Sequence, residues 1–337
     1  MAERFQAFVD ATVGVNPFTT QPWRPTPARR ALGALLLLIR LPPLLLVVLP
    51  LLLLADALAD VLLAGCWPRA ARAARLALVR PLARCALFLL GFHRLALTST
   101  APAPRGGEVV VANSSGYVGV LALAATLAPR FALLTRGGAG LRPASLLDAL
   151  GAASAAAAAS LQSGASCGPT SSDDAASTAL AAAEFVLRET RGGGGPLLLL
   201  PEGAPTNNRG VLEFAPAANV VARTIAELGP GGPAVRVAAV RFAAAQVGGG
   251  VQPNPCLVAG SALLHALVLA MQPSNDAHVL VLARGASPQP EGAGGEAAAA
   301  WVSAVRDSLC KLLKALPVKI AADKHRLFVL ARREKEQ

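Results

Sequence analysis

The sequence predicts an α/β protein, a largely parallel sheet flanked by helices, with an N-terminal hydrophobic membrane anchor. Three observations predict it. From Gly107 onward, short apolar runs alternate with longer helical stretches, the pattern of a sheet fed by helical crossovers. Val109–Val111 and Leu197–Leu200 are apolar without alternation, as strands buried on both faces are. Before Gly107 the chain instead places fourteen leucines between Leu32 and Leu54.

Residues 1–30 carry prolines at 17, 22, 25 and 27 and read as an irregular lead-in. Glu3 and Asp10 precede the apolar core, which does not fit a secretory signal. Residues 31–64 are the anchor. The charge-free run from Leu41 to Ala55 would be a helix of about 22 Å, short of the ~30 Å hydrocarbon core. Pro42, Pro43 and Pro50 should break or kink it. The leucines supply roughly −7 kcal/mol of insertion free energy, against about +3 kcal/mol for Arg40. A short, proline-interrupted run that still favours lipid predicts a re-entrant or hairpin anchor in one leaflet. A buried pair of core helices is the alternative.

Between Cys66 and Thr100 stand Arg69, Arg72, Arg75, Arg80, Arg84 and Arg94, with no acidic residue and with leucines interleaved. The pattern predicts helices lying among lipid headgroups, or else a solvated basic face. Strands are expected at Glu108–Ala112, Phe131–Leu134, Leu197–Leu200, Val235–Val240 and His278–Ala283. Helices are expected over 117–128, 174–190, 217–228, 260–271 and 296–316. The last places Trp301, Val305, Leu309, Leu312 and Leu316 on one face. Residues 152–160 are a nearly pure alanine insert, and the stretches at 164–172, 192–195, 248–250 and 287–295 read as flexible loops. The basic stretch from Lys319 reads as a solvated tail. These readings divide the chain into a lead-in (1–30), an anchor with basic interfacial helices (31–98), an α/β domain (99–285), and a linker with amphipathic helix and tail (286–337).

Hydrophobic residues make up 54% of the chain and charged ones only 15%, with a net charge of +11. Apolar and basic together suit an anionic membrane surface. Nucleic acid would be the rival, but aromatics at 4% and the leucine run favour lipid, so no nucleic-acid partner is expected. Five scattered cysteines, never spaced as Cys-x-x-Cys, give no disulfide framework and no metal site.

The stretch most informative about function is Pro196–Pro216, PLLLLPEGAPTNNRGVLEFAP. A buried strand is stopped at once by Pro201-Glu202-Gly203, which sets a carboxylate, Thr206, Asn207, Asn208 and Arg209 just past its C-terminal end. In open α/β sheets that rim is where ligands bind. Pro201-Glu202-Gly203, Thr206-Asn207 and Phe214-Ala215-Pro216 resemble the Pro-Glu-Gly-Thr block of the glycerolipid acyltransferases, with Ala204 where threonine is usual. The resemblance implies that Glu202, Gly203, Thr206, Asn207 and Arg209 bind the phosphate end of an acceptor lipid. It implies an acyltransferase fold, acyl-CoA as co-substrate with no bound cofactor, and membrane lipids and a lysophospholipid as partners.

The family's His-x-x-x-x-Asp block should follow an earlier strand, and the stretch there is Val109 to Val118. Asn113 stands in the histidine slot and Val118 in the aspartate slot. The resemblance makes Asn113, Ser114, Ser115 and Tyr117 the reaction-centre candidates without the usual base. The second block aligns near Thr135-Arg136, making Arg136 a substrate-binding candidate, and the fourth near Val237–Phe242. The resemblance is to the branch of lysophosphatidic acid:oleoyl-CoA acyltransferases, which implies the cytosolic face of the endoplasmic reticulum or the lipid droplet. Two functions follow: acylation of a lysophospholipid, lysophosphatidic acid first, or a catalytically inactive membrane or droplet adaptor that keeps the fold.

Overall fold

The computed structural model describes residues 3–20, 23, 25–64, 67–99, 102–134, 141–158, 184–191, 195–215, 218–219, 221–222, 225, 232–242, 253–290 and 295–336. A short helix, α1 (Glu3–Gln6), opens the chain. Then α2 (Pro27–Pro43) and α3 (Leu49–Ala64) run on through a π turn at Leu44–Val48. α4 (Pro68–Ala74) and α5 (Arg80–Leu89) are joined likewise by a π turn at Arg75–Val79. There follow β1 (Phe92–Ser99), β2 (Val109–Ala112), α6 (Tyr117–Leu127), β3 (Arg130–Leu134), β4 (Leu141–Ala144) and α7 (Leu146–Ala158). After a helical stretch at 184–191 come β5 (Leu197–Leu199), β6 (Gly210–Val211), β7 (Val235–Phe242), α8 (Ala262–Ala270) and β8 (Asn275–Val281). The chain closes with α9 (Gly295–Leu313), β9 (Leu316–Pro317) and α10 (Ala322–Glu336).

Seven strands form one mixed sheet in the order β1-β8-β7-β2-β5-β3-β4. The central four, β7-β2-β5-β3, are parallel. β8 runs antiparallel to β7 and carries β1 parallel to itself, and β4 closes the other edge antiparallel. Alternate residues of the central strands feed two cores. Val110, Ala112, Leu198, Ala238 and Val240 pack under α5, α6 and the N-terminal helices. Val109, Val111, Leu197, Leu199 and Val237 pack under Trp301, Val305 and Leu309 of α9. A third cluster, Phe8, Phe18, Leu212, Val318 and Phe328, closes the end of the sheet beside β6 and β9.

The expected strands are all present, within a few residues of their expected ends. Of the expected helices at 174–190 and 217–228, most residues lie outside the described ones. Three expectations are corrected. The prolines do not break the anchor: a single helical rod runs from Pro27 to Leu62. A proline ring crowds the carbonyl four residues before it. For Pro50 that is Leu46 and for Pro81 it is Ala77, and each is the central residue of a π turn, whose wider winding relieves the crowding. α4 begins at Pro68, beyond the apolar run, and packs back against α3.

For three of its six arginines the basic segment is corrected too. Arg75 is buried and pairs with Asp56 (3.3 Å) and Asp60 (2.5 Å). Arg84 donates to the carbonyls of Phe92 (2.7 Å) and His93 (2.6 Å), and Arg80 to that of Ala125 (3.2 Å). These guanidiniums serve the protein, not headgroups, and Phe92–Ser99 is a strand. Finally, the stretch from Lys319 is no loose tail. α10 buries His325, Phe328 and Val329, and Phe328 packs on Phe5, Phe8 and Phe18 of the lead-in. Leu316 falls beyond α9, in β9.

Asp56 completes its bonding with the backbone N–H of Leu146 (2.6 Å), tying the helical hairpin to the start of α7. Removing its cation strands a buried carboxylate, so Arg75→Leu should lower stability by about 3–5 kcal/mol. Denaturation of the detergent-solubilised protein checks this; a loss below about 1 kcal/mol would contradict the assignment.

Candidate functional site

β2 and β5 are parallel neighbours with Val111 opposite Leu199, so the segments leaving their C-terminal ends emerge side by side. The structure therefore brings the two sequence blocks together. Glu202 is 1% exposed, and its carboxylate links them. Oε1 accepts the N–H of Ser114 (2.7 Å), and Oε2 accepts the N–H of Leu212 (3.0 Å). The Ser114 carbonyl in turn accepts from Thr206 N–H (3.0 Å). Desolvation pushes the Glu202 carboxyl up to about 7, with the two amide bonds and Arg306 opposing.

Asn113 is equally occupied. Its Oδ1 accepts from Val240 N–H (2.7 Å), while Nδ2 donates to Val240 O (3.2 Å) and Asn208 Oδ1 (3.0 Å). The side-chain amide behaves as one more peptide group in the pairing of β2 with β7. Asn207 reaches the other way. Its Nδ2 donates to the carbonyls of Asn16 (3.0 Å) and Thr19 (2.7 Å), and its own N–H to that of Pro17 (2.8 Å). The lead-in is thereby laced across the rim. Thr206 is buried, whereas Gly203, at φ +70°, and Arg209 are exposed. Arg209 is the open cation of this block. Arg136 lies outside the described residues.

Ser115 and Tyr117 belong to the turn into α6. Gly116 holds φ +78°, and a side chain there would sit 3.2 Å from the Leu257 carbonyl, so only glycine lets the 254–257 segment cross so closely. Ser115 Oγ is buried over the first turn of α6 without a hydrogen-bond partner. Tyr117 Oη lies 3.0 Å from His265 Nδ1, and His265 Nε2 lies 2.8 Å from the Asn254 carbonyl. A carbonyl only accepts, so Nε2 carries the proton and Nδ1 receives the Tyr117 hydroxyl. Burial pushes the Tyr117 phenol up and the His265 imidazole down, the Asn254 bond opposing the latter.

In sequence His265 falls in an apolar stretch, where a histidine reads as a satisfied core or loop residue. The available signal was weak: a polar residue one turn after Ser261, whose hydroxyl caps α8. On the other face of the rim, Val111, Leu134, Leu199, Pro201, Phe214 and Trp301 line an apolar slot of about 20 Å³, room for a water but not for an acyl chain. Among the described residues no three His, Cys, Asp or Glu side chains converge as metal ligands. No protein-family model, curated protein or solved structure matches the chain.

The raised Glu202 carboxyl makes a pH prediction. Its ordinary value is 4.5 and its folded value about 7. Its contribution to stability is whole below pH 4.5 and is lost as pH rises through 7, at about 1.4 kcal/mol per pH unit between the two. Glu202→Gln should therefore shrink the stability difference between pH 5 and pH 7 by about 2–3 kcal/mol. Denaturant titrations of both proteins at the two pH values measure it; an unaltered difference would show that the carboxylate is not the titrating group.

Proposed function

We propose that the chain is a membrane-surface protein of the glycerolipid acyltransferase family, in the lysophosphatidic acid:oleoyl-CoA acyltransferase branch. It transfers an acyl group from acyl-CoA to a lysophospholipid, turning lysophosphatidic acid into phosphatidic acid. The observation that carries this reading is the meeting of the two resembling blocks at one sheet rim, joined by the 2.7 Å bond from Ser114 N–H to Glu202.

The membrane half of the reading rests on the helical rod. Gly33, Arg40, Leu44, Val48, Leu52, Ala55 and Ala59 are buried at intervals of three to seven residues, as is Asp56 beside Ala55, while Leu35, Leu38, Ile39, Leu46, Leu54 and Val61 are exposed. Only 17% of its most apolar stretch is buried, unlike a core helix. At 36 residues the rod is ~54 Å long, well beyond the ~30 Å hydrocarbon core, and one face touches the rest of the protein throughout. Such a rod lies along a surface, its apolar face in one leaflet. That arrangement serves the cytosolic leaflet of the endoplasmic reticulum and the monolayer of a lipid droplet equally.

In this reading the acceptor hydroxyl attacks the thioester carbon while Arg209 holds the acceptor phosphate. Holding both reactants in line supplies about 7–11 kcal/mol of barrier lowering. The adaptor reading is favoured by a specific observation: Asn113 and Glu202 spend their polar atoms on backbone groups. One assay separates the two. Purified full-length protein in vesicles is given labelled oleoyl-CoA and a panel of lysolipids. Phosphatidic acid should form from lysophosphatidic acid, and Arg209→Ala should raise its KM about tenfold, the weight of one charged hydrogen bond, with KM for oleoyl-CoA unmoved. No product from any lysolipid would leave the adaptor.

A further inference from the structure

We propose that Tyr117 and His265 together form the proton acceptor of the transfer reaction, the role left open by the asparagine at position 113; this inference rests on the acyl-transfer reading above. At the rim, Asn113 and Glu202 are otherwise committed. Asn113 has no proton to exchange near neutral pH, and both Glu202 oxygens already receive backbone N–H groups. His93 lies against Arg40 and the Pro273 carbonyl, and His325 against the Val258 carbonyl. His265 differs in meeting a hydroxyl.

The arrangement has the three parts of an activated hydroxyl. The Asn254 carbonyl fixes the imidazole tautomer through Nε2–H, leaving a lone pair on Nδ1, and Tyr117 presents its O–H to that lone pair at 3.0 Å. The pair also lies beneath an exposed apolar patch. Tyr117 is the first residue of α6, two positions after the buried Ser115 hydroxyl that has no partner. His265 lies just under the surface, and its neighbours on α8, Leu263 and Leu264, are exposed. α8 packs on α2, so this apolar patch adjoins the membrane-facing rod.

The step balances as follows. The acceptor hydroxyl gives its proton to Tyr117 Oη as the tyrosyl proton passes to His265 Nδ1. The acceptor oxygen bonds to the thioester carbon, the C–S bond breaks, and the sulfur leaves with the electron pair. His265 returns the proton through Tyr117 to the thiolate. The products are the ester and free coenzyme A, with no other reactant required.

The test uses full-length protein in phosphatidylcholine vesicles with oleoyl-CoA and lysophosphatidic acid. His265→Ala should lower kcat about 100-fold or more with both KM values little changed, and added imidazole should restore part of it. His265→Gln keeps a donor for Asn254 but no base, so it should be as slow while melting like the wild type. Tyr117→Phe removes the relay between acceptor and imidazole and should lose about 100-fold as well. An active wild type with His265→Gln within threefold of it would overturn the assignment and leave acyl transfer standing. A folded wild type inert on every lysolipid would overturn both.

Discussion

A buried guanidinium in the middle of a leucine-rich helix has to find acceptors, and the placement of Arg40 sets much of what surrounds it. Arg40 donates to the carbonyls of Ala270 (2.9 Å), Gln272 (2.5 Å) and Pro273 (3.3 Å), at the C-terminal end of α8, where helix carbonyls lack partners and the dipole is negative. About two turns earlier Gly33 lets Met271 pack directly on the helix; a side chain there would lie 3.0 Å from its Cβ. These two contacts fix the rotation of the rod. With Arg40 turned inward, Leu35, Leu46, Leu54 and Val61 are turned outward together. The π turn at Leu44–Val48 then keeps the rod whole past Pro50, so its contact with the protein continues to Asp56 and Ala59.

The rim of the sheet is built on the same economy of buried polar groups. A carboxylate and an amide that look in sequence like surface turn residues instead replace missing backbone partners: Glu202 for Ser114 and Leu212, Asn113 for Val240. Leaving those N–H groups unpaired would cost roughly 1–3 kcal/mol each. The price is that neither side chain is free for chemistry, and in the acyl-transfer reading the work passes to Arg209 and to the turn holding Tyr117.

The central strands were legible because they are buried on both faces, which leaves unbroken runs such as Val109–Val111. The convergence of 113–117 with 202–209 was legible from the rule that parallel strands share a C-terminal rim. β1 was not, because arginines at helical spacing continue up to Arg94 and mask a strand that leans only on β8. β4, Leu141-Arg142-Pro143-Ala144, is an edge strand with a proline and carries no apolar pattern. Strand direction leaves no trace in composition, so the antiparallel β8 was read only as a strand. Pro50 misled because its effect depends on whether the preceding turn can widen, while Pro42 and Pro43 are carried inside α2 with no such turn before them. Tyr117 and His265, 148 residues apart, could be paired only by folding.

The central claim is that the rod lies flat, one face on the protein and the other in a single leaflet. The direct measurement is immersion depth. A small fluorescent residue is installed one position at a time at Leu35, Leu46, Leu54 and Val61, and quenching is compared across lipids brominated at successive acyl carbons. The flat arrangement predicts the same shallow depth at all four positions and no quenching at buried Leu52. A profile deepest at Leu46 and rising steeply toward Leu35 and Val61 would mean that the helix crosses the bilayer, and would contradict the account.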